Sequence, residues 1–236
     1  MTEPAGAGLG QARALTRRGL GISVVALVAF AGACVLALGF TPVEARQGLA
    51  QKIFYLHVPA AWSALMAFSL VGIASALYLW LHDPRLDLFA EASAEVGVMF
   101  SAVMLTTGPI WAKPIWGTWW TWDARLTLTL FLFFIFVGYL ALRAAVHDPD
   151  ERARFSAVLG IMGLVLVPFI HLTVYLFRTL HPQPVVLKPS APSLPWEMLR
   201  TLMVAVAAFT LLYVGLVTAR YGLGLARRLR ESPDAP

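Results

Sequence analysis

The sequence predicts an all-α, polytopic integral membrane protein with six transmembrane helices. Of its 236 residues, 59% are hydrophobic and only 13% are charged, whereas an average soluble domain carries about 25% charged residues. The mean hydropathy is +0.73, and the chain contains six apolar stretches close to the roughly 20 residues that a helix needs to cross the hydrocarbon. This composition excludes a disordered chain, a disulfide scaffold and an ordinary cytosolic enzyme.

The apolar stretches give the order of the predicted helices. They cover residues 19–40, 59–81, 94–110, 127–145, 155–177 and 199–221. The first stretch has no small-residue cleavage site, so it is predicted to be a retained helix and not a signal peptide. The whole chain, 1–236, is interpreted as one membrane domain with frayed tails at 1–11 and 231–236.

The distribution of Lys and Arg predicts that both termini are cytoplasmic. In that orientation eleven of the 18 basic residues lie on the inner side of the membrane and seven on the outer side, as the positive-inside rule requires. Three longer segments then face outward, namely 41–58, 111–126 and 178–199.

Two inner loops open with the same tripeptide. His82-Asp83-Pro84 and His147-Asp148-Pro149 each follow an apolar stretch. Asp-Pro is a helix-stop signal, because the residue before proline is disfavoured in the helical conformation. The two histidines are therefore predicted to be C-terminal cap residues, where the helix dipole favours a cation.

A cluster of tryptophans in the middle outer segment is the most unusual feature of the sequence. Five of the eight tryptophans lie within twelve residues, at Trp111, Trp116, Trp119, Trp120 and Trp122. An aromatic belt at the membrane surface would account for one or two tryptophans at each helix end. The excess favours a platform for a flat aromatic ligand, because indoles stack well and make favourable edge contacts.

Two histidines are predicted at the same outer surface as this cluster. His57 precedes the second apolar stretch and His181 follows the fifth, while His171 lies one to two turns below the surface. A lone histidine at a helix end is more often a cap, but two beside an indole cluster suggest the two axial ligands of a haem iron. The candidates for binding the haem propionates are Lys113, Arg125, Arg178 and Lys188.

At these residues the chain resembles a known family. The run from Trp116 to Thr127 is similar to the tryptophan-rich WWD signature of haem-handling proteins in cytochrome c biogenesis. Tyr55-Leu56-His57-Val58-Pro59-Ala60-Ala61 and Thr179-Leu180-His181 narrow the resemblance to the haem exporter protein C family of the system I maturation pathway. The resemblance covers nearly the whole chain. The extra domains of the longer WWD proteins, which ligate haem to apocytochrome, are absent from this sequence.

The resemblance implies a non-covalent, b-type haem with two axial histidines, His57 and His181. It assigns the haem-contacting residues to Trp116, Gly117, Trp119, Trp120, Trp122, Asp123 and Arg125. His171 is not assigned as an iron ligand. It is expected either to contact the residues that bind the haem or to pack inside the helix bundle.

The resemblance also implies partners. They are an ATPase subunit, a membrane subunit and a small subunit (proteins A, B and D of the pathway), together with a periplasmic haem chaperone, protein E of the pathway. The membrane lipid is a further partner, and nucleic acid is not expected to be one. The favoured function is a haem-presenting protein that is not an enzyme.

Two alternatives remain open at this point. One is a subunit that moves haem or another substrate through the bilayer, and the other is a structural subunit with a tryptophan belt. The chain has no P-loop and few ionisable residues inside its apolar stretches, which favours presentation over transport.

Overall fold

Six long helices make up most of the chain. A computed structural model describes residues 5–186 and 188–231. The helices are α1 (Ala5–Val35), α2 (Phe54–Leu81), α3 (Pro84–Trp116), α4 (Ala124–Ala145), α5 (Pro149–Leu176) and α6 (Trp196–Glu231). A short π-helix, Leu36–Phe40, extends α1, and a 3-10 helix, Leu49–Ile53, leads directly into α2. All six are long and apolar enough to cross a membrane, which confirms the predicted fold class of a multi-pass membrane protein.

The bundle has two chemically different ends. Six successive crossings bring the start of α1 and the end of α6 to the same end, together with the turns at 82–83 and 146–148. We call this the terminal end. The opposite end carries segments 41–53, 117–123 and 177–195, and we call it the tryptophan end. Which end faces the cytoplasm stays a prediction.

Several helices extend well beyond the apolar stretches that predicted them. α1 begins at Ala5 and α3 begins at Pro84, so the tail predicted at 1–11 is wrong for residues 5–11. Residues 1–4 and 232–236, where the rest of the two predicted tails falls, lie outside the described part of the chain. The reason for the difference is that hydropathy detects only the part of a helix that suits the hydrocarbon. Helical backbone hydrogen bonds are local, so a helix can continue into a polar segment.

The two Asp-Pro turns start a helix as well as ending one. The side chains of Asp83 and Asp148 accept hydrogen bonds from backbone amides in the first turns of α3 and α5, each at 2.8 Å, as N-cap residues do. The proline that follows occupies the first turn of the helix, where its missing N–H costs nothing. His82 caps α2 in the left-handed conformation as predicted, whereas His147 lies one residue past the actual cap of α4, Val146.

Helices α1 and α6 pack closely because small residues line their contact. A Cβ atom added to Gly19 would lie 2.3 Å from the backbone nitrogen of Ala219, and one added to Gly215 would lie 2.7 Å from the nitrogen of Ser23. Neither position tolerates a larger residue without movement of the backbone. This close approach is the small-residue packing typical of helices in lipid.

A buried ion cluster joins three helices at the terminal end. Arg143 of α4 donates hydrogen bonds to Asp87 and Glu91 of α3, at 2.6 Å and 2.9 Å. Asp87 also accepts one from Arg228 of α6 at 2.7 Å. The side chains of Arg143 and Asp87 are only 3% and 7% exposed, so each charge depends on its partners for stabilisation.

An aromatic layer fills the middle of the bundle. The rings of Phe68 and Phe136 stack face to face with centroids 3.8 Å apart, and Tyr139 packs beside Phe136. All three side chains are essentially inaccessible to solvent. This layer separates the terminal end from the tryptophan end.

Candidate functional site

A cavity opens at the tryptophan end of the bundle. The space between its lining side chains, counted together with the open mouth, comes to about 910 Å³. Its walls come from α2, α3, α4, α5, the turn 117–123 and the segments 41–53 and 177–195, and most of the lining residues are apolar. The aromatic, basic and imidazole residues that line it are His57, Trp111, Trp116, Trp119, Trp120, Arg125 and His181.

Helix α2 supplies His57. The residue lies in the first turn of that helix and not in a surface loop, because the 3-10 helix before it lets α2 begin ahead of Pro59. The His57 Nδ1 atom lies 3.0 Å from the hydroxyl of Thr107 on α3. The Trp111 ring meets the imidazole edge to face, with centroids 5.8 Å apart. His57 is therefore fixed by two residues that lie one turn apart on α3.

A glycine makes room for this imidazole. A Cβ atom on Gly108 would lie 3.3 Å from the Cε1 atom of His57, closer than ordinary van der Waals contact. Gly108 therefore lets α3 approach the ring of His57.

The segment 177–195 supplies His181, and its two neighbours Thr179 and Pro182 hold it in place. Its Nδ1 atom donates a hydrogen bond to the Pro182 carbonyl oxygen at 2.8 Å, since a carbonyl can only accept. Its amide donates to the Thr179 hydroxyl at 3.1 Å. Burial, with the charge of Arg125 as the second cause, lowers the pKa of His181 well below its ordinary value. The ring is therefore neutral at physiological pH, which is the form that binds a metal.

The tryptophan-rich turn is shaped at its two ends by Gly117 and Asp123. Gly117 ends α3 in the left-handed conformation, with φ at 74°, which a residue with a side chain rarely adopts. Asp123 starts α4 by accepting a hydrogen bond from the amide of Leu126 at 3.0 Å. Only 117–123 are irregular, so Trp111 and Trp116 stand on the last turns of α3.

Asp123 also ties this turn to the segment that carries His181. Burial raises the pKa of its carboxyl, but hydrogen bonds outweigh that effect and leave the pKa below its usual value. The Thr121 hydroxyl donates one of them at 3.1 Å, and the Thr179 hydroxyl and the Leu180 amide, which face the carboxylate, also lower the pKa. The Asp123 carboxylate thus lies between the α4 cap and the approach to His181.

The predicted site residues divide into two groups in the structure. Those that line the cavity are His57, Trp116, Trp119, Trp120, Arg125 and His181. Those that do not are Gly117, Trp122 and Asp123. The indole of Trp122 is 77% exposed and meets Trp120 edge to face, with centroids 5.8 Å apart. These three residues shape or flank the cavity wall, and His171 lies away from the cavity with its ring near Tyr175.

Two hydrogen-bond donors at the cavity have no acceptor in the part of the chain that the structure describes. The Nη1 atom of Arg125 and the Nε1 atom of Trp120 are buried and lack a hydrogen-bond partner among the described residues. Leaving a buried donor unsatisfied costs about 1–3 kcal/mol or more, so both are suited to bind an anionic ligand group. Of the other basic candidates, Lys113 donates to the carbonyl of Gly117, and neither Arg178 nor Lys188 lines the cavity.

Sequence reasoning missed two residues that contact His57, Thr107 and Gly108, and it did not connect Trp111 of the predicted indole cluster with that histidine. All three lie on α3, and Trp111 also donates a hydrogen bond to Gln47 at 3.0 Å. Thr107 and Trp111 are four residues apart, the spacing that puts two side chains on one helix face. That spacing was the available signal for a shared helix face. It does not indicate a contact with His57, which lies 50 residues before Thr107 in the chain.

The fold and the cavity together define a class: a six-helix membrane protein with a tryptophan-lined ligand cavity at one end of the bundle. The family model "Heme exporter protein C" matches residues 11–235. The chain belongs to that family. It is 39% identical over 215 residues to the Heme exporter protein C of Bradyrhizobium diazoefficiens, covering 88% of this chain and 81% of that protein. It is 36% identical over 199 residues to the Heme exporter protein C of Haemophilus influenzae, covering 84% and 81% respectively.

Proposed function

We propose that the chain binds haem at the tryptophan end and presents it there for cytochrome c biogenesis. The observation that carries this proposal is the cavity that brings His57 and His181 together with several indoles and a guanidinium. Membership of the Heme exporter protein C family supports the same ligand. The protein acts by binding and handover and is not an enzyme.

The two histidines hold the haem iron in this proposal. Each imidazole has its Nδ1 atom engaged, His57 with Thr107 and His181 with the Pro182 carbonyl. The Nε2 atom of each ring is then left for the iron, and haem iron accepts two imidazoles as axial ligands. The haem is non-covalent and b-type, because the only cysteine, Cys34, lies on α1 and does not line the cavity.

The cavity walls bind the rest of the macrocycle. Trp116, Trp119 and Trp120 provide apolar faces and edges for the porphyrin. The unpaired donor of Arg125 binds a propionate carboxylate, to which a guanidinium can donate two parallel hydrogen bonds. Gly117, Asp123 and Trp122 act indirectly, by setting the shape of the turn that carries these groups.

The tryptophan end faces the periplasm and both termini face the cytoplasm of a bacterial inner membrane. The split of eleven to seven in Lys and Arg supports this orientation. The segments 41–58, 111–126 and 178–199 then form the periplasmic face of a single membrane domain, 1–236. A haem chaperone, protein E of the pathway, collects haem there. The ATPase, the membrane component and the small component, which are proteins A, B and D of the pathway, complete the complex.

Presentation fits the structure better than passage of haem through this chain. Phe68 follows His57 by eleven residues on α2, about 16 Å along the helix axis, and its stack with Phe136 closes the bundle below the cavity. The ion cluster of Asp87, Arg143 and Arg228 lies beyond that layer. A haem that moved through the bundle from the terminal end would have to disrupt both the aromatic stack and the ion cluster.

The test is the haem content of the protein purified within its complex. His57→Ala and His181→Ala are each expected to lose most of the haem absorption and to reduce loading of the chaperone. His171→Ala is the matched control, since His171 lies at the same end of the bundle but away from the cavity. Normal haem content in both cavity variants would overturn the axial assignment. ATP-driven haem uptake into sealed vesicles that depends on this chain would favour the transport alternative.

A further inference from the structure

The hydroxyl of Thr107 makes hydrogen bonds on two sides. It lies 3.0 Å from the Nδ1 atom of His57, and it lies 2.8 Å and 3.3 Å from the backbone carbonyl oxygens of Val103 and Met104. The residue is buried, with 8% of its surface exposed. Its hydroxyl therefore has little access to water and depends on these partners.

The chemistry of the partners sets the direction of each bond. The carbonyl oxygen of Val103 can only accept, and two oxygens 2.8 Å apart repel each other unless a proton lies between them, so the hydroxyl proton of Thr107 belongs to that bond. The hydroxyl oxygen then accepts from His57, which places the imidazole proton on Nδ1. The Nε2 atom of His57 is left with its lone pair, the form in which an imidazole binds a metal.

The same turn of α3 holds the ring in position. Gly108 leaves room for the imidazole, since a Cβ atom there would lie 3.3 Å from Cε1, and Trp111 covers it edge to face. Metal-binding histidines usually donate their second ring N–H to a neighbouring acceptor, which fixes both the tautomer and the orientation of the ring.

We propose that Thr107 is a positioning residue that holds His57 in the tautomer able to bind the haem iron. This inference rests on the proposed function, which makes His57 an axial ligand. The hydroxyl of Thr107 does not touch the iron and acts only through the imidazole. His181 obtains the same tautomer from the Pro182 carbonyl, which no side-chain substitution removes.

The first measurement needs no substitution. Nitrogen NMR of the full-length protein labelled at histidine, in detergent and without haem, reports which ring nitrogen carries the proton. His57→Ala identifies the resonances of His57. We expect His57 to be protonated at Nδ1 in the wild type and to become a mixture of tautomers in Thr107→Val, which keeps the shape but removes the acceptor. A wild-type His57 protonated at Nε2 would overturn the proposal.

The second measurement is haem affinity, with the reduction potential of the bound haem as a further readout. Thr107→Val is expected to lower the affinity about 10- to 100-fold, the usual cost of losing such a partner, and to shift the potential. Thr107→Ser keeps the hydroxyl and is expected to restore wild-type values. Thr106→Val is the matched control, because Thr106 makes the same bond to the helix backbone, 2.8 Å to Ala102, but is exposed.

The result for His57→Ala separates failure of this inference from failure of the proposed function. If His57→Ala loses haem but Thr107→Val binds it as the wild type does, the role of Thr107 is wrong and the ligand assignment stands. If His57→Ala retains haem with unchanged affinity, the ligand assignment is wrong and the role of Thr107 falls with it.

Discussion

The two ends of the bundle differ in how the charge of a buried arginine is neutralised. At the terminal end Arg143 donates to Asp87 and Glu91 through both terminal nitrogens, and Asp87 also accepts from Arg228. At the tryptophan end the Nη1 atom of Arg125 is buried without an acceptor among the described residues. Buried donors without acceptors are destabilising in the protein alone. The Nε atom of Arg143 also lacks an acceptor among the described residues, but two carboxylates neutralise the charge of that guanidinium. The comparison indicates that the terminal end serves the fold and the tryptophan end a ligand.

The largest expected effect is at the terminal end. Arg143→Ala leaves the carboxylate of Asp87 buried and only partly compensated, so we expect the free energy of unfolding to fall by about 3–5 kcal/mol. Thermal or denaturant unfolding in detergent measures this loss. Arg227→Ala is the control, since Arg227 is exposed on α6, and it should change little. If the Arg143→Ala protein were as stable as the wild type, the ion cluster would not be needed for the stability of the fold.

The next effect separates binding from stability at the tryptophan end. Arg125→Ala is expected to leave the free energy of unfolding nearly unchanged, because its buried Nη1 atom has no hydrogen bond to lose among the described residues. Haem affinity should fall about 10- to 100-fold, the equivalent of a charged hydrogen bond of about 1.5–3 kcal/mol. Arg178→Ala, outside the cavity, should bind haem normally. Equal affinity losses in the two variants would show that only net charge matters.

A pair of helix caps compares the two ends directly. Asp123 and Asp148 each accept a hydrogen bond from an amide in the first turn of a helix, at 3.0 Å and 2.8 Å. Substitution of either by Ala should cost about 1 kcal/mol of unfolding free energy. Only Asp123→Ala should also lower haem content, because Asp123 faces Thr179 and Leu180, which lead into His181. Haem loss in both variants would mean that haem content merely follows stability.

The smallest effect tests which indoles matter. Trp120→Ala should lower haem affinity more than Trp122→Ala, because Trp120 lines the cavity and Trp122 is largely exposed. Trp122 contributes its edge contact with Trp120, about 0.5–1.5 kcal/mol, so its loss should change affinity by about tenfold or less. Haem titration followed by absorption measures both. A larger loss in Trp122→Ala would extend the ligand surface beyond the cavity.

The class of protein and the six helices could be predicted from the sequence, because a transmembrane helix requires only a sufficiently long run of apolar residues. The sequence also predicted that His57, His181 and the tryptophan cluster at 111–122 lie at one end of the bundle. Successive membrane-spanning helices alternate in direction, so this placement depends on the number of helices and not on how they pack. The bounds of the helices were less accessible, as α3 shows by running from Pro84 to Trp116. Hydropathy marks the hydrocarbon and not the ends of the backbone hydrogen bonds.

The inner geometry of the site could not be predicted from the sequence. The directions of Trp119, Trp120 and Trp122 depend on an irregular turn that begins with Gly117 at φ 74°, so their spacing does not say which one faces the cavity. The contact between His57 of α2 and Thr107 of α3 joins two residues that are 50 positions apart in the chain. Such contacts arise from the packing of helices against each other, which the periodicity of apolar residues in the sequence does not predict.

The most direct test of the central claim is electron paramagnetic resonance of the purified protein loaded with ferric haem. Two imidazole ligands predict a low-spin, six-coordinate iron in the wild type and in His171→Ala. Loss of either axial residue, in His57→Ala or His181→Ala, should convert any retained haem to a high-spin form. A wild-type spectrum that is high-spin, or a low-spin spectrum unchanged in both cavity variants, would contradict the account.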